Sequence, residues 1–243
     1  MKPRTHTETG RVRLLGLAAL AATGLTLQAQ TPIYSGHTDV GIAYDETLNE
    51  WDLHVHDEEN NIEYSPATNA LIYVGYDALQ TIPGGAQWSF LGTAGNATSI
   101  LPDTENPNLP FLGIGSEEIG AGIFVGNQFS LYLTSVMGPG SFALYSLDEF
   151  GSPTVHMNSA DGITLADTLT INTGTHAHYN WAFSAPGDYR ITFEAEGNSI
   201  LNGLTSSGDV EYLFTVQAIP EPTTFALAGL GLATLVFMRR RRN

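Results

Sequence analysis

Two short patterns in this chain place paired imidazoles at a spacing that suits metal chelation. They are His54-Val55-His56 and His176-Ala177-His178. On a β-strand, residues i and i+2 share a face about 6.5–7 Å apart, so each pair presents two rings to one side. Two such strands side by side would offer four ring nitrogens. A Zn²⁺ site takes about four ligands, mostly His nitrogens when Cys is absent. The chain has no Cys, which removes thiolate ligation, disulfides and a Cys nucleophile together. His37, in Gly36-His37-Thr38-Asp39-Val40-Gly41, lies one short strand upstream. It is a fifth candidate, or a replacement for one of the four. The expected site is thus His54, His56, His176 and His178, with His37, closing on one divalent transition ion, Zn²⁺ first.

The sequence around the first pair suits a cation. Asp39, Asp52, Asp57, Glu58, Glu59 and Glu63 surround it. A carboxylate can ligate the ion, or accept the free N–H of a ligating His and so fix its tautomer. The acidic run from Asp57 to Asn61 reads as a solvated turn, with a weak Ca²⁺ site as the alternative. His156 stands alone in Val155-His156-Met157 and reads as a surface or hydrogen-bonded histidine.

Charge narrows the partners. Between residues 31 and 219 there are 23 carboxylates and one basic residue, Arg190, a net of −22. Phosphate and nucleic-acid contacts need Lys and Arg, so nucleic acid is excluded as a partner. Asp52-Leu53-His54-Val55-His56 resembles the opening Asp-x-His-x-His of amidohydrolase and PHP-type phosphoesterase sites, where zinc-bound water is the nucleophile. Those folds alternate strands with helices, and the helices are missing here. No Gly-x-Ser-x-Gly elbow occurs. Gly113-Ile114-Gly115, with Gly120 and Gly122, resembles a dinucleotide loop only faintly, because no strand-to-helix context surrounds it. A binding or structural role is therefore expected ahead of an enzymatic one.

The elements that must position these histidines are strands. Trp51, Leu53 and Val55 alternate with Asp52, His54 and His56. Phe129, Leu131 and Leu133 alternate with polar neighbours, as do Tyr189, Ile191, Phe193 and Ala195, and Tyr212, Phe214 and Val216. Period two with one apolar face denotes half-buried strands. Turn chemistry separates them at Pro83-Gly84-Gly85, Gly138-Pro139-Gly140, Pro186-Gly187 and Ser206 to Gly208. The fold class expected over 31–217 is all-β, an antiparallel sandwich of Ig-like or jelly-roll-like form. Its core should contain Trp51, Trp181, Phe183, Tyr189, Ile191, Phe193, Tyr212 and Phe214. Residues 83 to 122 read as an elaborated loop region rather than a linker, since Trp88, Phe90, Phe111 and Ile114 need burial.

Both ends read as addresses. Residues 1–30 join a basic start to the apolar run Leu14 to Leu27 and a small residue at Ala29, which predicts a secretory signal helix removed near Gln30 or Thr31. Residues 218–243 hold Pro220-Glu221-Pro222, a short hydrophobic helix over Phe225 to Met238, then Arg239 to Arg242. Fourteen residues are short for a span, but flanking Thr and snorkelling Arg extend the reach. This order resembles the PEP-CTERM sorting signal of Gram-negative bacteria. The resemblance implies export, recognition by an exosortase and removal of the tail. The chain would touch a membrane only through the uncleaved tail.

A second resemblance covers roughly 33 to 217. Gly36 to Gly41, Glu50-Trp51-Asp52-Leu53-His54-Val55-His56-Asp57, and the block from His176 to Arg190 with Asn180-Trp181 and Pro186-Gly187-Asp188-Tyr189 look like the choice-of-anchor M surface proteins. Those are similar to actinobacterial surface-anchored repeat proteins, found beside metal-type ABC transporters. The resemblance implies an outer domain that handles a transition metal. Signal peptidase, exosortase, a metal ABC transporter system and matrix exopolysaccharide are the partners to expect. The competing reading is a structural or adhesive matrix protein without metal.

Overall fold

The computed structural model describes residues 30–218. The expected signal helix and C-terminal hydrophobic helix lie outside them. Among the described residues no helix is long and apolar enough to cross a membrane.

The chain forms β1 (Thr31–Ile33), β2 (Gly36–Asp45), β3 (Glu50–Asp57), β4 (Ile62–Tyr64), β5 (Ala70–Val74), β6 (Leu79–Thr81), β7 (Ala97–Leu101) and β8 (Pro110–Gly115). There follow β9 (Gln128–Met137), β10 (Phe142–Leu147), β11 (Pro153–Asn158), β12 (Thr168–Asn172), β13 (His176–His178), β14 (Asn180–Phe183), β15 (Gly187–Ser199), β16 (Gly203–Ser206) and β17 (Val210–Val216). The only helices among the described residues are short 3-10 turns, as the scarcity of 3.6-residue periodicity requires.

The strands form three sheets. One runs β1-β5-β17-β15-β9-β12, with β16 on β15. A second runs β11-β10-β14-β7-β6, and the third β13-β8-β2-β3-β4. One buried cluster draws from all three: Val40, Val55 and Ile114, then Phe142 and Trp181, then Ile72, Phe193 and Phe214. The sheets thus pack over a shared core, in a sandwich-like arrangement. Of the eight expected core residues, seven are buried, and Trp51 is partly buried against the same cluster. Its indole N–H donates to the Thr205 hydroxyl at 3.2 Å, so the polar edge of the ring is satisfied where it packs.

The expectation of purely antiparallel sheets needs correction. β1 and β5, β5 and β17, and β2 and β8 pair in parallel. Parallel pairing requires a long crossover, and the five strands β3 to β7 supply it between β2 and β8. Within residues 83 to 122, Trp88 and Phe90 pack on a second cluster with Ile82, Ile100 and Tyr145. This region is structured cover rather than linker.

The third sheet matters most for chemistry. Its inner face carries Val40, Ile42, Leu53, Val55, Leu112 and Ile114 into the core. By period two, its outer face carries His37, Asp39 and Gly41 on β2, Asp52, His54 and His56 on β3, Phe111, Gly113 and Gly115 on β8, and both histidines of β13.

Candidate metal centre

Register decides which histidines meet. β13 pairs with β8, so His176 lies opposite Gly115 and His178 opposite Gly113. β8 pairs with β2, so Asp39 lies opposite Gly113 and His37 opposite Phe111. Gly113 has no side chain, and the space above it is filled from both flanks. A Cβ at this position would meet the Asp39 carboxylate and would come within 2.7 Å of His176 Nε2. Glycine here is a clearance, not a turn.

Into that clearance converge three Nε2 atoms and a carboxylate. His37 Nε2 and His176 Nε2 are 3.2 Å apart, and His176 Nε2 and His178 Nε2 are 3.1 Å apart. Asp39 Oδ1 is 3.1 Å from His176 Nε2, and Asp39 Oδ2 is 3.5 Å from His37 Nε2. Zn–N bonds of about 2.0–2.1 Å arranged tetrahedrally give ligand-to-ligand edges of about 3.3–3.4 Å. The observed spacings sit close to that edge. His37, Asp39, His176 and His178 together could hold a metal ion.

The surroundings aim these donors. Glu117 Oε1 lies 2.8 Å from His176 Nδ1. A proton on Nδ1 would face this carboxylate, and in that tautomer the Nε2 lone pair turns inward. The lone pair then faces the Asp39 carboxylate, acceptor against acceptor, a conflict that a cation between them removes. His178 stacks on Phe111 with ring centroids 3.5 Å apart and planes 4° from parallel, which fixes its rotation.

Electrostatics agree. Asp39 is 2% exposed. Burial raises its pKa to about 6, although His176 and His37 pull the other way. The only Lys or Arg among the described residues, Arg190, pairs with Glu211 on the first sheet. A buried carboxylate without a basic partner is costly unless it is protonated or coordinated. Burial, with His176 and His37 beside it, lowers His178 to about 4. At neutral pH the ring is therefore uncharged, with one of its two nitrogens able to coordinate.

The expected set is only partly assembled. His37, His176 and His178 come together, but His54 and His56 do not join them. β8 and β2 stand between the two His-x-His strands. Three strand steps of about 4.8 Å put the pairs about 14 Å apart, too far for one ion. His54 instead groups with Glu63 and Glu118, and His56 Nδ1 lies 3.1 Å from Glu58. His156 hydrogen-bonds Ser146 at 2.9 Å, as its isolation suggested. Asp57 accepts from the Asn60 backbone and side chain, which closes the acidic run as a turn.

Asp39 stood in the sequence as one of six carboxylates able either to ligate or to orient a histidine, and the fold puts it among the donors. Sequence reasoning overlooked Gly113, Glu117 and Phe111 as parts of the centre. The Gly-x-Gly spacing was the available signal: two glycines on one face of a strand clear room for neighbours.

A PEP-CTERM protein-sorting motif matches residues 218–242. No curated protein and no solved structure matches the chain. The motif implies processing by exosortase, so the chain is an exported protein sorted to the surface of a Gram-negative cell.

Proposed function

We propose that this is a cell-surface or matrix protein whose β-domain binds a divalent transition metal, Zn²⁺ first, through His37, Asp39, His176 and His178. The observation that carries this reading is the convergence of three Nε2 atoms and a buried carboxylate above Gly113. Three imidazoles and one carboxylate suit Zn²⁺ and its first-row neighbours better than Ca²⁺ or Mg²⁺. Four protein donors would fill a tetrahedron and leave no position for a reacting water. That favours holding or capturing an ion over hydrolysis. The resemblance of the His37, His54 and His176 blocks to choice-of-anchor M proteins supports the same reading, and makes a metal ABC transporter system a candidate partner. Signal peptidase would act at the other end of the chain.

The second reading, a structural matrix protein that meets exopolysaccharide, rests on the export signal alone. Elemental analysis separates the two. The full chain, purified without a polyhistidine tag and dialysed, should retain about one equivalent of zinc. A double His176→Gln, His178→Gln variant should lose that equivalent. A wild-type protein free of transition metal after zinc loading would sink the proposal.

A further inference from the structure

The His-x-His strand β3 holds a buried histidine that the centre above Gly113 does not use. His54 is 1% exposed, yet neither of its ring nitrogens has a hydrogen-bond partner. A neutral imidazole carries one donor and one acceptor, and burial normally satisfies both. The ring lies over Gly41, where a Cβ would come within 2.7 Å of His54 Cδ2. Nε2 is the ring atom that such a Cβ would meet first, so the missing side chain of Gly41 leaves room for this nitrogen above the sheet. The nearest carboxylate oxygens are Glu118 Oε1, 3.5 Å from Nε2, and Asp52 Oδ2, 3.9 Å from Nδ1. Both are longer than ordinary hydrogen bonds. Glu63, from β4, completes the group, and one donor atom from each of His54, Glu63 and Glu118 lies within 4.8 Å of the others.

We infer that His54, Glu63 and Glu118 form a second divalent-cation site, separate from the centre above Gly113. The group opens into a trough of about 300 Å³ bordered by Asp39, His56, Glu58 and Glu117. That is room for water to complete the coordination shell. An ion on Nε2 would leave the Nδ1 proton for Asp52, the carboxylate on that side, in the manner of other metal-bound histidines. Ser65 already donates to Asp52 at 2.9 Å, which steadies it. One nitrogen and two carboxylates form a harder donor set than three nitrogens and one carboxylate. This site should therefore take Mn²⁺ more readily than the first centre does. The donor residues of the two sites do not overlap, although Asp39 and Glu117 border the trough from the side of the first centre.

The test uses Mn²⁺ as probe, followed by the paramagnetic resonance signal of the free ion. The full chain, loaded with one equivalent of Zn²⁺, should bind one further equivalent of Mn²⁺. Glu63 and Glu118 are exposed, so the double Glu63→Gln, Glu118→Gln variant should fold normally. It should bind Mn²⁺ at least about tenfold more weakly, and His54→Gln should do the same. His176→Gln impairs the first centre only and should keep the Mn²⁺ site. No Mn²⁺ uptake by the wild type, or unchanged uptake in both the His54 and Glu63/Glu118 variants, would overturn the inference.

Discussion

Gly113→Ala is the smallest change that should empty the centre. The residue lies within β8 in ordinary extended backbone, where alanine costs nothing conformationally. Its new methyl would meet the Asp39 carboxylate and lie 2.7 Å from His176 Nε2 and 3.1 Å from His178 Cε1. Asp39 is buried and cannot swing into solvent, so at least one donor must leave its position. Loss of an outer partner of a ligand typically weakens metal affinity about 10–100-fold, so displacement of a ligand should cost at least about 100-fold. At zinc 1,000-fold above the wild-type Kd, binding stabilises the wild type by about 4.1 kcal/mol. A variant weakened about 100-fold would gain only about 1.4 kcal/mol. At about 2–4 °C per kcal/mol for a domain of this size, the zinc-induced rise in Tm should shrink by about 5–11 °C. Differential scanning fluorimetry with and without zinc reads this directly. The metal-free Tm reports separately any overpacking cost, about 1–3 kcal/mol. Gly120→Ala is the control, because nothing lies within 4 Å of its added Cβ. Equal zinc shifts in wild type, Gly113→Ala and Gly120→Ala would refute the clearance argument.

Metal affinity should fall as pH drops through about 6, where Asp39 gains a proton. Calorimetric titration at pH 5 and pH 7.5 checks this. In the metal-free protein the two shifted groups act in opposite senses. The raised pKa of Asp39 gives stability that is lost as pH rises from 3.8 to about 6, and the lowered pKa of His178 gives stability that is lost as pH falls from 6.5 to about 4. Acid titration followed by circular dichroism should therefore show a shallow metal-free profile over this range, and a steep one with zinc. His56→Ala and His156→Ala should leave zinc affinity at the Gly113 centre unchanged within about twofold, since additivity holds for groups without shared partners. The Tyr212 hydroxyl is buried without a partner, so Tyr212→Phe should raise stability by about 1 kcal/mol in urea unfolding. The mature protein should start near Gln30 or Thr31 and lack Arg239 to Arg242, which terminal sequencing from the native host reads.

The strands were legible because period two survives in any half-buried sheet. Tyr189 to Ala195 and Tyr212 to Val216 could be placed in the core from alternation alone. Pairing was not legible. Nothing in the local sequence says that β2 sits between β3 and β8, or that β8 runs parallel to it, because register is set by packing across the whole core. The His-x-His pairs therefore looked like two halves of one site, and their separation by two strands was invisible. His37 was visible only as a reserve candidate, yet the topology makes it a full member of the centre. Gly113 was hidden for a different reason. An absent side chain has no chemistry to read, and its role exists only once Asp39 and His178 flank it.

The most direct test of the central claim is anomalous diffraction at the zinc edge from crystals of the zinc-loaded protein. The account predicts a strong peak above Gly113, about 2.0–2.1 Å from Nε2 of His37, His176 and His178 and from a carboxylate oxygen of Asp39. A map with no peak there, or with zinc held only by His54 and His56, would contradict it.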